Sequence, residues 1–556
     1  MNFHEIPYER VTCEELTSLY EELFDALEHA RTDEDCEKVL KLRYALANRM
    51  TPMDICYVRN AMDLNDPFYA AEQAYYNEIS PKLSELATRF SRLLLDSPRR
   101  DYFEKVMGEQ AISLMETGLL CYDERLNDLS REENALTSRY NLLTANATVN
   151  WDGEAISRGR MSTYTQSPDR ETRKKAAAAI SDSWEEQRGE LEELYANLVA
   201  NRDRQAKALG YPNFVEMSYY RMARIGYGSR EVAAFRDAVK KHIVPLHTQL
   251  EEKRRKRLHL DHLYSYDGGI FFENGNPVPL GGTEKCLAAT REMYHRLSPE
   301  TAEFIDCLLD NQLYDVEMRI GKKSGGYMTS FESLRLPFIF ANFDGTSENA
   351  YIMCHEAGHA FQYYLKRDDE IREHCWLTSE AAETHAMAME LFTYPYMELF
   401  FGERAEDYRT RHLTNTLWRI AYQCEQDEFQ QLVYERPDMT NDERNALWAK
   451  LEKEYFPTKD VSGNKNLSDG CGWQRIPHAF LWPFYAIDYG LAQVAALGFY
   501  RMYRENSPAA WENYLHFCKT TGELSFPALM EQAGLGSPFA EETIASLAEW
   551  LRENCM

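Results

Sequence analysis

The chain has 556 residues, 44% of them hydrophobic and 27% charged, with a formal net charge of −28. That charge argues against a nucleic-acid backbone as partner, and no apolar run approaches the roughly 18 residues of a membrane span. The opening Met1-Asn2-Phe3-His4-Glu5-Ile6-Pro7 has neither the basic region nor the apolar core of a secretory signal.

Length alone allows two to four domains. Twelve cysteines from Cys13 to Cys555 contain no C-x-x-C pair, so buried thiols in the reducing cytoplasm are expected. Up to about Thr144 the apolar residues recur at three- and four-residue steps. This predicts helices over Cys13–Glu28, Thr32–Asn48, Phe68–Leu95 (interrupted at Pro81) and Pro98–Gly118. Charge clusters here, such as Ser130-Arg131-Glu132-Glu133, read as solvated faces or first turns.

Ala145–Trp151 and Glu154–Met161 flank Asp152-Gly153, the signature of a two-residue hairpin turn. Ser167-Pro168-Asp169 restarts a helix, with serine expected as cap, and Gly210-Tyr211-Pro212-Asn213 ends it. A soft boundary falls near Glu190. It separates an N-terminal helical region, 1–190 with its hairpin near 145–165, from a catalytic region, 191–556. Glu231–Leu260 predicts a long helix kinked at Pro245, its run Lys253-Arg254-Arg255-Lys256-Arg257 a solvated face. Asp267–Gly282 reads as a surface loop.

A second β-like region covers Gly325–Phe331 and Leu336–Phe343, where Pro337 suggests an edge strand. An edge can pair with an extended peptide, and Gly325-Gly326 would let its backbone come close. An ordinary small sheet packed on helices fits the same residues. The next helix carries His355-Glu356-Ala357-Gly358-His359. Two histidines four apart share a helix face and can hold one zinc ion, with Glu356 beside it as general base. Gly358 implies a close approach, either of a ligand or of a neighbouring helix. Cys354 points to another face and is not expected as a ligand.

A third ligand is needed. Leu377–Thr393 offers Glu380, Glu383, His385 and Glu390, and Glu383 shares a face with both Glu380 and Glu390. Glu383 would complete a His₂Glu set, Glu380 could accept from a ligand histidine, and His385 points away.

His355–His359 followed by Glu383, Ala386 and Glu390 resembles the oligoendopeptidase F and thimet oligopeptidase family of zinc peptidases, nearest its Pz-peptidase-like branch. The family's third ligand is a glutamate with a small residue three positions on; serine usually stands where this chain has Ala386. The likeness runs through Leu209–Phe214, Gly325–Asn342, Arg475–Phe480 and Phe484–Tyr489, so from about Tyr140 to the end.

The resemblance implies a mainly α fold with a deep substrate channel and a small β-sheet beside the zinc helix. It implies one zinc ion on His355, His359 and Glu383, and Glu356 as base. His478 and Tyr485 would stabilise the oxyanion, with Tyr489, Gly325, Gly326 and Asn342 as substrate contacts. Two tyrosines four apart on an apolar helix are also an ordinary core pattern. The expected activity is cleavage of internal bonds in short unstructured peptides. The alternatives are a dipeptide-releasing carboxypeptidase and an inactive peptide-binding protein.

Overall fold

Helices dominate the computed structural model, which describes residues 2–556. Three long ones come first: α1 (Cys13–His29), α2 (Asp33–Met62) and α3 (Pro67–Leu95). Thr12 and Thr32 cap the first two by accepting from the amides of Glu15 and Asp35. Their apolar stripes, Leu16, Tyr20 and Phe24 with Val39 and with Leu83, Leu86 and Phe90, share one core.

The interruption expected at Pro81 does not occur, and the helix expected to end at Asn48 is longer. α2 overruns Asn48 and continues through Pro52, and α3 runs through Pro81. Each proline removes one intrahelical hydrogen bond, but buried residues on both sides, Leu46 and Ile55 on α2 and Ile79 and Leu83 on α3, keep the helix continuous. The break comes instead at Gly108, whose φ of +89° separates Arg100–Met107 from Glu109–Leu120.

The hairpin pairs β1 (Thr148–Trp151) with β2 (Glu154–Ser157). Asp152 and Gly153 both have positive φ, 53° and 87°, as its two-residue turn requires. The helix that follows, α4 (Arg170–Ala208), is capped by Asp169 rather than the expected Ser167, and the sequence boundary near Glu190 falls inside it. α5 (Phe214–Arg221) comes next. The predicted kink at Pro245 takes the form of a π-turn, Val239–Ile243, just before α6 (Val244–Arg257). A widened turn accommodates a residue that cannot donate.

Arg254 departs from its solvated neighbours: it is buried and paired with Glu251 at 2.6 Å. The segment after α6 is not a surface loop throughout either. Asp267 is buried between Arg170 and Arg173, and Ile270, Phe271 and Phe272 are buried beside it. The Asn276 side chain satisfies the Phe271 amide and the Gly269 carbonyl, which makes that burial possible.

Burial, with the Arg254 guanidinium adding to it, pushes the His247 imidazole down to about 4. The unfolded chain takes up that proton near 6.5. Stability from neutral His247 is therefore complete above pH 6.5 and lost as the pH falls to 4, at most about 3 kcal/mol. The thermal midpoint, followed by circular dichroism, is expected to drop across that window and to drop less in His247→Gln.

The second sheet has the order β3-β5-β4, with β3 (Tyr314–Glu317) parallel and β4 (Tyr327–Phe331) antiparallel to β5 (Leu336–Phe343). Pro337 therefore lies in the central strand, contrary to expectation. It is tolerated because β3 pairs with β5 only from Ile339 onward, so Pro337 faces β4 alone. β4 is the edge.

Among the later helices are α7 (Glu348–Lys366), α8 (Ser379–Phe392), α9 (Ala405–Glu435), α10 (Pro477–Leu481), α11 (Ala486–Glu505) and α12 (Ser507–Thr520). The chain divides into two compact units, each assembled from three stretches. The first comprises Met1–Leu119, Pro277–Ala405 and Phe499–Gly534; the second comprises Leu120–Asn276, Glu406–Gly498 and Leu535–Met556. No helix among the described residues is long and apolar enough to cross a membrane.

Candidate metal centre and active site

In the first unit, α7 places His355 and His359 one turn apart on one face. Their ring centroids are 5.0 Å apart and the planes nearly perpendicular, at 87°. Glu383, on α8, brings Oε2 to 3.4 Å from His355 Nε2 and 3.8 Å from His359 Nε2. One donor atom from each of the three residues lies within 4.8 Å of the other two. Four-coordinate zinc with bonds of roughly 2.0–2.1 Å sets its ligand atoms about 3.3 Å apart, so these donors need only small adjustments to hold one ion.

The crossing of α7 and α8 brings the donors together, and Gly358 explains how. A Cβ there would lie 2.6 Å from Ala386 Cα and 2.8 Å from the His385 carbonyl oxygen. Of the two readings of Gly358, helix crowding is the one the structure bears out, and a small residue at 386 serves the same contact. The two helices run antiparallel. The His359 ring hydrogen-bonds the Ala382 carbonyl at one end of the contact, and His355 Nδ1 bonds Glu390 Oε1 at 2.7 Å at the other. Glu390 thus holds the position expected of Glu380, which lies buried one turn before Glu383.

His385, fully buried, bonds Thr521 Oγ1 through Nε2 at 2.9 Å, and its carbonyl accepts from Tyr514 at 2.9 Å. Lys366 donates to the Thr521 carbonyl at 3.3 Å. α12 and the residues after it therefore back the α7–α8 pair. Cys354 is buried against Thr393, away from the donor cluster.

Burial pushes the Glu356 carboxyl up to about 7; nearby Glu383 and Glu390 add to the rise, while His355 and a hydrogen bond from the Met328 amide oppose it. Burial pushes His359 down to about 4, leaving a neutral imidazole able to ligate. His355 goes the other way. Burial opposes its proton, but Tyr351, stacked at 5.7 Å, and hydrogen bonds to Glu383 and Glu390 hold that proton in place. A metal ion would take the proton's place between His355 and Glu383.

The edge strand β4 lies beside Glu356: a Cβ on Gly326 would be 3.5 Å from Glu356 Oε1. Gly325 has φ +96°, a conformation that favours glycine, and the Asn342 amide donates to the Lys323 and Gly325 carbonyls at 2.9 and 2.8 Å. Asn342 thus shapes the turn that leads into β4.

In the second unit the His478, Tyr485 and Tyr489 rings cluster, with centroids 5.1 to 6.0 Å apart and His478 stacked on Tyr485 at 5.3 Å. Between α10 and α11 the chain turns through Phe484, whose φ is +67°. For a bulky side chain this costs about 1–2 kcal/mol.

Residues 3–122 match the family profile described as the peptidase M3 N-terminal domain, and residues 163–274 and 295–549 match that of peptidase family M3. The chain belongs to peptidase family M3. The mainly α architecture of this M3 chain is the one expected. The N-terminal match reaches helices that on sequence looked generic.

Among solved structures, Pz peptidase A with an inhibitor is 39% identical over 100% of each chain, with a TM-score of 0.92. Oligoendopeptidase F of Lactococcus lactis subsp. cremoris is 22% identical over 67% of this chain and 61% of its own. Oligopeptidase PepF of Bacillus subtilis is 24% identical over 68% and 56%. The M3 chain thus spans about three-fifths of the length of these curated relatives.

Three residues of the M3 chain went unremarked in the sequence: Arg202, Arg224 and Gln430, all buried and all bound to the segment that carries His478 and Tyr485. One signal was available. Arg202 sits in the stripe Leu191, Leu194, Leu198, Gln205, a charge on an otherwise buried helix face. Glu133, taken for a solvated first turn, is its partner at 2.6 Å. A prediction follows for the metal centre. Glu390→Gln is expected to weaken metal binding about 10- to 100-fold, measurable by competition with a chromophoric chelator.

Proposed function

We propose that the protein is a zinc-dependent oligoendopeptidase that hydrolyses internal bonds of short, unstructured peptides. The observation that carries this reading is Glu383 Oε2 at 3.4 and 3.8 Å from the two imidazole nitrogens, with Glu356 next in sequence to the first histidine. Two imidazoles and one carboxylate form a donor set that hydrolytic zinc sites use. His355, His359 and Glu383 would hold the ion, and zinc, when bound, supplies a Lewis acid that makes water nucleophilic near neutral pH.

Glu356 accepts the proton of the attacking water and returns it to the leaving amine. His478 and Tyr485 donate hydrogen bonds to the oxyanion. The substrate adds as a strand to β4, led in by Gly325-Gly326 and contacted by Tyr489. Only an extended segment can pair with an edge, which favours unstructured peptides. On this reading every residue that does chemistry lies in 191–556. A cytoplasmic location suits the buried thiols of Cys36, Cys56 and Cys354.

The test uses quenched fluorescent peptides blocked at both ends, with zinc measured in the same preparation. Cleavage that stops with a chelator and returns with zinc is expected. Release of dipeptides from free C-termini alone would make the protein a carboxypeptidase, and zinc binding with no turnover would make it a peptide-binding protein.

A further inference from the structure

The segment that carries His478 and Tyr485 is held by its backbone, and two buried arginines do most of the holding. Arg202, on α4, donates from Nη2 to the Phe480 carbonyl at 2.6 Å and from Nη1 to the Ala479 carbonyl at 3.4 Å. These carbonyls end α10, where no intrahelical donor remains for them. Its other contacts are Glu133 at 2.6 Å and the Tyr434 hydroxyl at 2.9 Å.

Arg224, just after α5, donates to the Phe484 carbonyl and pairs with Asp488, one turn into α11, at 2.7 Å. Both side chains of that ion pair are fully buried. The Phe484 amide is held too, donating to Gln430 Oε1 at 3.0 Å. The Phe484 ring packs on Tyr434 and Tyr219, centroids 5.7 and 6.0 Å away. Tyr434 therefore touches both Arg202 and the Phe484 ring.

Phe484 stays left-handed because its carbonyl, its amide and its ring are each fixed. That conformation hands Tyr485 on to stack against His478. A guanidinium suits the task because its fork can meet a carbonyl and a carboxylate together, which a lysine ammonium does poorly.

We propose that Arg202 and Arg224 are positioning residues, which hold the His478–Tyr485 segment by its carbonyls so that both side chains keep their stacked geometry during turnover. This rests on the oxyanion role given above to His478 and Tyr485.

The test is steady-state cleavage of a blocked fluorescent peptide by Arg224→Lys, Arg202→Lys and Gln430→Met, with zinc content and thermal midpoint measured alongside. Arg224→Lys is expected to lose about 100-fold in kcat with KM and zinc content within threefold, the loss typical of a reacting group displaced by about an ångström. Adding Phe484→Gly to Arg224→Lys is expected to recover about tenfold in kcat, since glycine reaches the left-handed conformation unaided. The thermal midpoint stays low because the ring is gone. Should Arg224→Lys not fold, Gln430→Met removes two hydrogen bonds, with the Phe484 amide and the Gln426 carbonyl, and no charge, and is expected to lose about tenfold in kcat.

Folded Arg224→Lys or Gln430→Met with a lowered midpoint and unchanged kcat would leave the clamp a stability device and overturn the proposal. Full activity in both His478→Ala and Tyr485→Phe would overturn the oxyanion reading and the clamp with it. Loss of activity in those two variants, with wild-type kcat in the arginine variants, overturns the clamp alone.

Discussion

Glu356→Gln is expected to retain zinc at wild-type affinity and to cleave a blocked peptide about 1,000-fold more slowly. The two halves of that result have separate causes. The donor cluster consists of His355, His359 and Glu383, and Glu356 is not in it. Its carboxylate lies instead against Gly326 and the Met328 amide, a contact that the glutamine oxygen can still accept. Only proton transfer is lost, because a carboxamide is not basic near neutral pH. Zinc analysis and peptide kinetics on one preparation check both halves. Cleavage within tenfold of wild type would end the mechanism, and loss of zinc would place Glu356 among the ligands.

Gly358→Ala is expected to lower the thermal midpoint and to weaken zinc binding more than tenfold, although helix propensity alone predicts the reverse. Replacing a helical glycine by alanine gains about 1 kcal/mol. Against that, the new methyl group would lie 2.6, 2.8 and 3.1 Å from Ala386 Cα, the His385 carbonyl oxygen and the Ala386 amide nitrogen. All three are backbone atoms, so no side chain can swing aside and α8 itself must move by about an ångström. Overpacking of that kind costs about 1–3 kcal/mol. α8 is also held from behind by Thr521 and Tyr514, which raises the cost of moving it. Glu383 and Glu390 travel with α8, so zinc affinity falls with stability. A higher midpoint with unchanged zinc binding would mean that the crossing has slack.

The convergence of the candidate donors was legible because their spacing is written in helical periodicity. His355 and His359 share a face by spacing alone, and Glu383 was the carboxylate common to two candidate pairs. The hairpin was legible because Asp152-Gly153 demands its own turn. Glu390 and Glu380 could not be told apart, since both share a face with Glu383. The direction in which α8 crosses α7 decides between them. Antiparallel packing sets Ala382 level with His359 and Glu390 level with His355, and that direction is a property of the pair.

The helix and strand bounds around the prolines follow from packing in the same way. Pro52 and Pro81 break local hydrogen bonding but not the packing around it, and Pro337 sits in a central strand at a level its second neighbour does not reach. The arginine clamp was hidden for a different reason. Three of its acceptors on the His478–Tyr485 segment are the carbonyls of Ala479, Phe480 and Phe484, which no side-chain pattern encodes.

The threefold threading of each unit has a consequence for biosynthesis. Thr521 and Tyr514, which brace His385, belong to the closing stretch of the first unit, Phe499–Gly534. A nascent chain emerging from the ribosome thus carries His355, His359 and Glu383 long before the buttress behind them exists. Neither half can be excised as an uninterrupted fragment, and the centre matures only after synthesis has passed the last of its supports.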